Sequence, residues 1–267
     1  TGELKVVPGS KTRPGEGYRS RFSHDSETAY PGYYAVTLRD YGIRAELTST
    51  ERVGFHRYTF PAADNAHILI DLSHGIGDDP LKAQVKIGKD QIEGYRYSRG
   101  WGDQVVYFVA KFSKPFSSYG TWKNGITHQN QDKESGKNIG AFVDYFTSKN
   151  ETIFVKVGIS FTSIDGARKN LEDELPDWDF DRVRAEAKTA WNKELDKIDV
   201  NGAEEDKVKF YTSLYHSLLC PCVFSDADGK YVGVDGKMHE ADYPHYTLFS
   251  IWDTFRAEHP FLVLIEP

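Results

Sequence analysis

The 267-residue chain has one methionine and only two cysteines. Cys220 and Cys222 flank Pro221, too close together for a structural disulfide, and there is no second pair to complete a four-ligand zinc site. They read as small, buried thiols and leave the redox compartment open. No apolar run approaches the ~20 residues that a helix needs to span a bilayer. The first residues, TGELKVVPGS, lack the charged-then-apolar pattern of a secretion signal. The segment therefore reads as soluble, with any export signal removed or outside it. Its net charge of −7 is spread without a basic stripe, which disfavours both nucleic acid and anionic lipid as partners.

Aromatic residues are abundant: sixteen Tyr, sixteen Phe and five Trp. Such rings can stack on ligands as well as fill a core. The length suits one large domain or two ordinary ones, and an apolar share of 39% allows a real core.

Residues 1 to 30 are rich in Gly, Pro, Arg and Ser and show no apolar period, so they read as irregular. The run Ser23-His24-Asp25 falls here, but members of a catalytic triad meet in space rather than in sequence. From about 31 to 162, short segments such as YYAVTLR, HILIDL, QVVYFVAKF and TIFVKVGISF alternate with period two or favour β-branched and aromatic residues. Roughly nine strands at about ten-residue spacing predict a β-sandwich or a pair of large antiparallel sheets. Asp40-Tyr41-Gly42 is expected to turn between the first two strands. In Gly100-Trp101-Gly102 an aromatic ring sits between glycines, as an anchor on another domain or as a ligand platform. Residues 117–138, polar and rich in Gly and Asn, are expected to form an exposed connection.

The period changes at Ser163. A Ser N-cap leads into Ala167, Leu171 and Leu175 at intervals of four, and Pro176 ends the helix. A second helix follows with Phe180, Val183, Ala187, Trp191, Leu195 and Ile198 on one stripe, and Asn201-Gly202 stops it. In a third, Val208, Tyr211, Leu214, Tyr215 and Leu218 are expected to face inward. The stretch FSDADGKYVGVDGKMHEADYPHY then reads as a long irregular loop. Its Asp226, Asp228 and Gly229 suggest a calcium loop, but Lys230 and Tyr231 stand where an EF-hand needs a ligand and a glycine. A loop of that length is usually functional and could form a site wall.

Near the end lies SIWDTFRAEHP. If it is helical, Trp252, Asp253 and Arg256 share one side. A ring, an acceptor and a fork of donors are what a sugar needs, because its C–H face stacks and its buried hydroxyls must be hydrogen-bonded. The plain alternative is an intrahelical Asp253–Arg256 ion pair with Trp252 in a core.

Taken together, SRFSHDSETAYPGYYAVTL, AELTSTERVGFHRYTFP, SRGWGDQVVYFVAKFSKPF, FYTSLYHSLLCPCVFSDADGKYVG and SIWDTFRAEHP resemble the exo-acting α-mannosidases of glycoside hydrolase family 92 over nearly the whole chain. The resemblance implies a supersandwich-like antiparallel β-sandwich over residues 1–162. A helical linker over 163–202 and the first helices of an (α/α)6 barrel over 203–267 would follow. It implies release of terminal α-linked mannose from glycans, with inversion and with dependence on a calcium ion. Inversion uses an acid on the leaving oxygen and a base activating water, on two well-separated carboxylates. By motif, Trp101 resembles the aromatic that the β-domain gives to the terminal sugar subsite, and Trp252, Asp253 and Arg256 the Trp-Asp-x-x-Arg element that binds that sugar. The family's acid, base and calcium ligands are expected in the rest of the catalytic domain, outside this chain, so neither Glu240 nor Glu258 is nominated. Mannose-containing glycans are the expected partners, and the expected location is secreted, periplasmic or at the cell surface. SLLCPCVF departs from the family pattern. Two other readings remain: a non-catalytic carbohydrate-binding β-sandwich, and another glycosidase or phosphorylase with the same two-part architecture.

Overall fold

Alternating apolar residues between about positions 28 and 160 close two antiparallel sheets in a computed structural model that describes residues 2–10, 14–100 and 102–266. The strands are β1 (Thr28–Tyr30), β2 (Tyr33–Leu38), β3 (Ile43–Ser49), β4 (Val53–Phe60), β5 (Ala63–Asp71), β6 (Asp79–Ile87) and β7 (Gln91–Arg99). They continue as β8 (Asp103–Phe112), β9 (Ser118–Lys123), β10 (Ile126–Gln129), β11 (Lys133–Gly136), β12 (Ile139–Thr147) and β13 (Glu151–Ser160). Nine form one sheet in the order β1-β2-β3-β4-β13-β8-β7-β6-β11, and four form a second in the order β10-β9-β12-β5. The expected turn between β2 and β3 is present, with Gly42 at φ +64°.

The nine-stranded sheet is the middle layer. Its inner residues, among them Phe60, Val85, Ile92 and Ile153, pack on Ala66, Ala141, Val143 and Tyr145 of the small sheet. Its opposite face carries Val53, Phe55 and Val109, which the helical segment covers. The outer face of the small sheet is capped by Val6 of the N-terminal segment, packed on Trp122 and Phe142.

Residues 117–138, expected as an exposed connection, instead carry three strands. Asn124 and Gly125 take φ values of +52° and +80°, the conformation of a tight hairpin turn, and join β9 to β10. The buried Trp122 of β9 anchors the hairpin. Its partner β10 and the later β11 are edge strands with mostly exposed side chains, so their polar sequence carries no apolar period.

The helices begin where the sequence changes period. α1 (Ile164–Glu174) is capped by the Ser163 hydroxyl, which accepts from the Gly166 amide at 2.9 Å. α2 (Phe180–Leu195) is capped by Asp179, which accepts from the Arg182 amide at 3.0 Å. Ala167, Leu171, Leu175, Phe180 and Val183 fill the second core against the large sheet. α3 (Glu204–Ser217) docks more lightly: Tyr215 meets Trp191 at a ring distance of 4.7 Å and Leu214 is buried. Val208, expected to face inward, is exposed, because no described element packs over the first turns of α3.

The stretch expected as an irregular loop contains a hairpin, β14 (Lys230–Val232) with β15 (Met238–Glu240). Asp228-Gly229 and Asp235-Gly236 make its turns, with both glycines at positive φ. Three-residue strands are too short to show a period. Cys220 and Cys222 are exposed, free thiols rather than buried ones, because the chain docks back on the β-domain only beyond them, through Phe224 and Asp226. The chain ends in α4 (Ile251–Thr254) and α5 (Glu258–Ile265).

Gly158 of β13 sets how closely α1 approaches the sheet. A Cβ there would lie 2.4 Å from the Ala167 carbonyl oxygen and 2.7 Å from Leu171 Cβ. Gly158→Ala should therefore cost about 1–3 kcal/mol of stability through overpacking, read from the urea midpoint. Gly202→Ala, in open space, should shift it by less than about 0.5 kcal/mol. Equal shifts for the two variants would refute this account of the sheet–helix contact.

Candidate functional site

Two β-domain turns and the segment after α3 meet around a cleft of about 800 Å³. The turn between β5 and β6 contributes Ile76, Gly77 and Asp78, and the start of β8 contributes Asp103 and Gln104. The facing wall includes Phe224, Val234, His245, Tyr246 and Leu248. A smaller crevice of about 370 Å³ lies beside β5, lined by Tyr18, Tyr41, Tyr58 and Asp71. Several of its polar groups are already engaged, with Tyr18 donating to Asp71 at 2.6 Å and the Tyr41 hydroxyl to the Gly17 carbonyl at 3.2 Å. The large cleft is the better candidate for a polar ligand.

Trp101 lies outside the described residues, but its neighbours Gly100 and Gly102 both line the cleft. Gly100 sits close to the Asp78 turn, where a Cβ would come within 3.2 Å of Asp78 Cβ. The cleft carboxylates are held by arginines. Asp78 accepts from Arg96 Nη1 at 2.5 Å, and that bond, followed by one from Ser98, keeps its carboxyl below the ordinary aspartate range. Asp103 accepts from Arg99 Nε at 2.8 Å and from the Tyr97 hydroxyl at 2.5 Å, and its pKa is lowered to about 2, chiefly by Arg99. Both stay ionised at neutral pH and serve as hydrogen-bond acceptors. Neither has the raised pKa of a general acid.

The other wall is a stack of rings. Tyr231 of β14 lies between His245, at 3.9 Å and 13°, and His239, at 5.5 Å and 25°. Phe224 stacks on Phe161 at the end of the β-domain, with ring centres 4.4 Å apart. Main-chain bonds tie this wall together: the Phe224 amide donates to the His245 carbonyl at 2.7 Å and the Thr247 amide to the Cys222 carbonyl at 2.8 Å. Flat rings opposite fixed acceptors match the two kinds of surface that a sugar presents.

The SIWDTFRAEHP residues only partly share one element. Trp252 and Asp253 lie on the four-residue α4, whereas Arg256 lies in the turn that follows it. Trp252 is exposed rather than in a core. The plain ion-pair reading also fails: no Asp253–Arg256 contact exists among the described residues, and the Arg256 guanidinium lies 5.8 Å from the Phe255 ring centre. None of the three lines the cleft, whose described wall reaches Leu248. The Ser23-His24-Asp25 run forms no triad, since His24 Nδ1 pairs with Glu27 at 2.5 Å.

Among the described residues no three His, Cys, Asp or Glu side chains converge as a metal-ligand set. Asp226 is already saturated by Ser160, Thr162 and Asn170, and Asp228 pairs with Lys169 and Lys230. Nothing in the local residue pattern marks Asp78 or the Tyr231–His245 stack, whose partners come from distant positions. Arg99 and Asp103, four apart across a turn, were the one local signal available.

Comparison with known proteins places these features in a family. A model of the glycosyl hydrolase family 92 N-terminal domain matches residues 1–160, and one of the family 92 catalytic domain matches residues 166–267. A solved family 92 α-mannosidase from Bacteroides thetaiotaomicron is 40% identical, with a TM-score of 0.93 over 98% of this chain and 36% of its own. It has also been solved with mannoimidazole. A family 92 inverting mannosidase from the same organism is 27% identical, with a TM-score of 0.82 over 91% of this chain and 33% of its own. An uncharacterized secreted glycosidase from Arthroderma benhamiae is 30% identical over 262 residues, covering 88% of this chain and 33% of its own length. The chain thus spans about a third of the length of these relatives.

Because the folded-state pKa of Asp103 is depressed, its interactions stabilise the fold above the ordinary aspartate pKa of 3.8 and fade as pH falls toward about 2. A carboxyl-carbon NMR titration should place its midpoint near 2, and Arg99→Ala should move it up toward 3.8. A wild-type midpoint already near 3.8 would show that the arginine does not hold it.

Proposed function

The chain belongs to glycosyl hydrolase family 92, and from that premise we propose that it is the N-terminal portion of a calcium-dependent, inverting exo-α-mannosidase. It releases terminal α-linked mannose from glycans, and this chain supplies part of the sugar subsite while the rest of the catalytic domain supplies the acid and base. The observation that carries the reading is the 40% identity to an α-mannosidase over 98% of the chain. Both match segments, 1–160 and 166–267, flank the change from strands to helices.

The cleft chemistry supports a binding role. Asp78 and Asp103 are fixed acceptors for sugar hydroxyls, the wall of His245 and Tyr246 offers apolar faces, and Trp101, carried over by motif, would stack on the ring between Gly100 and Gly102. Trp252, Asp253 and Arg256 project from the adjoining C-terminal segment. Asp253 has no side-chain partner among the described residues, which leaves its carboxylate available to a ligand or to further protein.

The C-terminal surface supports a larger catalytic domain. Leu248, Ile251, Phe255, Val263 and Leu264 are each more than half exposed, and α5 is apolar from Pro260 to Ile265. Such a helix is stable when buried. The remaining helices of the (α/α)6 barrel would cover it. Bound calcium would help hold and distort the sugar. Its ligands are expected, by resemblance to the family, in that remaining part. The secreted relative supports an extracellular, periplasmic or cell-surface location.

The full-length enzyme should release mannose from an α-mannoside, lose that activity to a chelator and regain it with calcium. Asp253→Ala should reduce turnover at least roughly 10²-fold, in line with a lost bond to a charged acceptor that strengthens in the transition state. Its stability, read from the urea midpoint, should change by less than about 0.5 kcal/mol, since the side chain has no partner among the described residues. Near-normal hydrolysis by this variant would remove Asp253 from the site. Failure of the wild type to release mannose from any α-linked substrate would remove the function.

A further inference from the structure

We infer that Asp226 is a positioning residue for sugar binding, locking the ring-lined wall of the cleft onto the β-domain and the first helix. The inference rests on the reading of that cleft as part of the sugar site. Asp226 is 4% exposed, and among the described residues no cation pairs with it. Its charge is instead met by donors from two segments distant in sequence. Oδ2 accepts from the Ser160 hydroxyl at 2.8 Å and from the Thr162 hydroxyl, and Oδ1 accepts from Asn170 Nδ2 at 2.8 Å. A buried carboxylate is tolerated only when its lone pairs are satisfied in this way, and each bond to it is stronger than a neutral one.

The Asn170 amide is fully used by the same clamp. Its nitrogen also donates to the Ile159 carbonyl at 2.9 Å, and its oxygen accepts from the Ala227 amide at 2.8 Å. Space is reserved for the carboxylate by Gly166 of α1, where a Cβ would lie 2.4 Å from Asp226 Oδ2. A second tie holds the preceding residue: Arg52 Nε donates to the Ser225 carbonyl at 2.7 Å while Arg52 Nη1 pairs with Glu174 at 2.7 Å.

This anchor is two residues from the cleft. Phe224 lines it directly, and Ser225 connects to the cleft-lining His245 twice, through its amide to the His245 carbonyl at 3.1 Å and through its hydroxyl from the His245 amide at 3.0 Å. His245 carries the Tyr231 ring. The placement of the rings relative to Asp78 and Asp103 on the opposite wall is therefore set by a carboxylate that cannot touch the sugar. Without it, the wall keeps its internal bonds and the Arg52 tie but loses the bonds to Ser160, Thr162 and the Asn170 amide nitrogen, which loosens its register against the β-domain.

The test uses the full-length enzyme, with mannoimidazole as the binding probe and 4-nitrophenyl α-mannoside as the substrate. Asp226→Ala should raise the inhibitor Kd and the KM together by about tenfold or more, the equivalent of one lost charge-assisted bond, while kcat changes far less. Asp226→Asn should recover most of the affinity, because its amide oxygen still accepts from Asn170 and the two hydroxyls can rotate to accept from its nitrogen. If Asp226→Ala does not fold, Ser160→Ala, which removes one of the three donors, should still raise Kd measurably at unchanged kcat. Wild-type Kd and KM in folded Asp226→Ala, or in Ser160→Ala, would overturn the positioning role. So would a fall in kcat alone that tracks the folded fraction. If the wild type itself neither binds mannoimidazole nor cleaves the substrate, the sugar-site reading falls first, and this inference with it.

Discussion

The constraint on which the rest depends is that the nine-stranded sheet is apolar on both faces and must be covered on both. On one side the four-stranded sheet provides Ala66, Ala141, Val143 and Tyr145. On the other, Ala167, Leu171, Leu175, Phe180 and Val183 of the helical segment close over Val53, Phe55 and Val109. At roughly 25 cal/mol per Å² of buried apolar surface, two such cores dominate the favourable side of folding. The first two helices are therefore packed directly on the β-domain. Gly158 permits that approach. Beside it, Lys156 of β13, almost fully buried, donates to the Leu175 carbonyl at 2.8 Å and the Asp177 carbonyl at 3.1 Å. Its ammonium lies 4.1 Å from the Trp178 ring centre. Burial lowers the Lys156 pKa, and the carbonyl acceptors and the ring partly offset that cost.

This seam also determines where a site can form. Once α1 is seated, Ser160, Thr162 and Asn170 stand together at the end of β13, and the segment after α3 docks on them through Asp226. That docking carries the rings of Phe224 and His245 to the turns that hold Asp78 and Asp103, with Tyr231 stacked on His245. A site at the junction of two packed layers, with one wall from each, is a common place for ligands. Its rigid wall is the β-domain, where arginines hold both carboxylates. Its other wall is a hairpin held at one end.

Much of this was legible in the residues. Period-two alternation marked the β-domain, and the change at Ser163 marked the first helix to within a residue, because an N-cap and an apolar four-residue interval are local signals. The strands within 117–138 were not legible: β10 and β11 lie at edges, and their polar side chains follow from facing solvent. The β14–β15 hairpin was hidden by its three-residue strands. For the site, SIWDTFRAEHP was conspicuous for its residue types, yet the helix expected to align its three polar and aromatic groups ends at Thr254, leaving Arg256 in a turn. Asp226 was noticed for its spacing with Asp228 and Gly229, but the purpose of its carboxylate depended on Ser160 and Asn170, 66 and 56 residues away.

The sequence by itself determined the main strands, the change from strands to helices at Ser163 and the family, because capping, period and turn chemistry act over a few neighbours. The tertiary structure alone decided which carboxylates are held ionised by arginines, which is buried as a clamp, and which side chains are left without partners. Those properties depend on groups brought together from distant positions, and on the burial that makes each hydrogen bond to them matter.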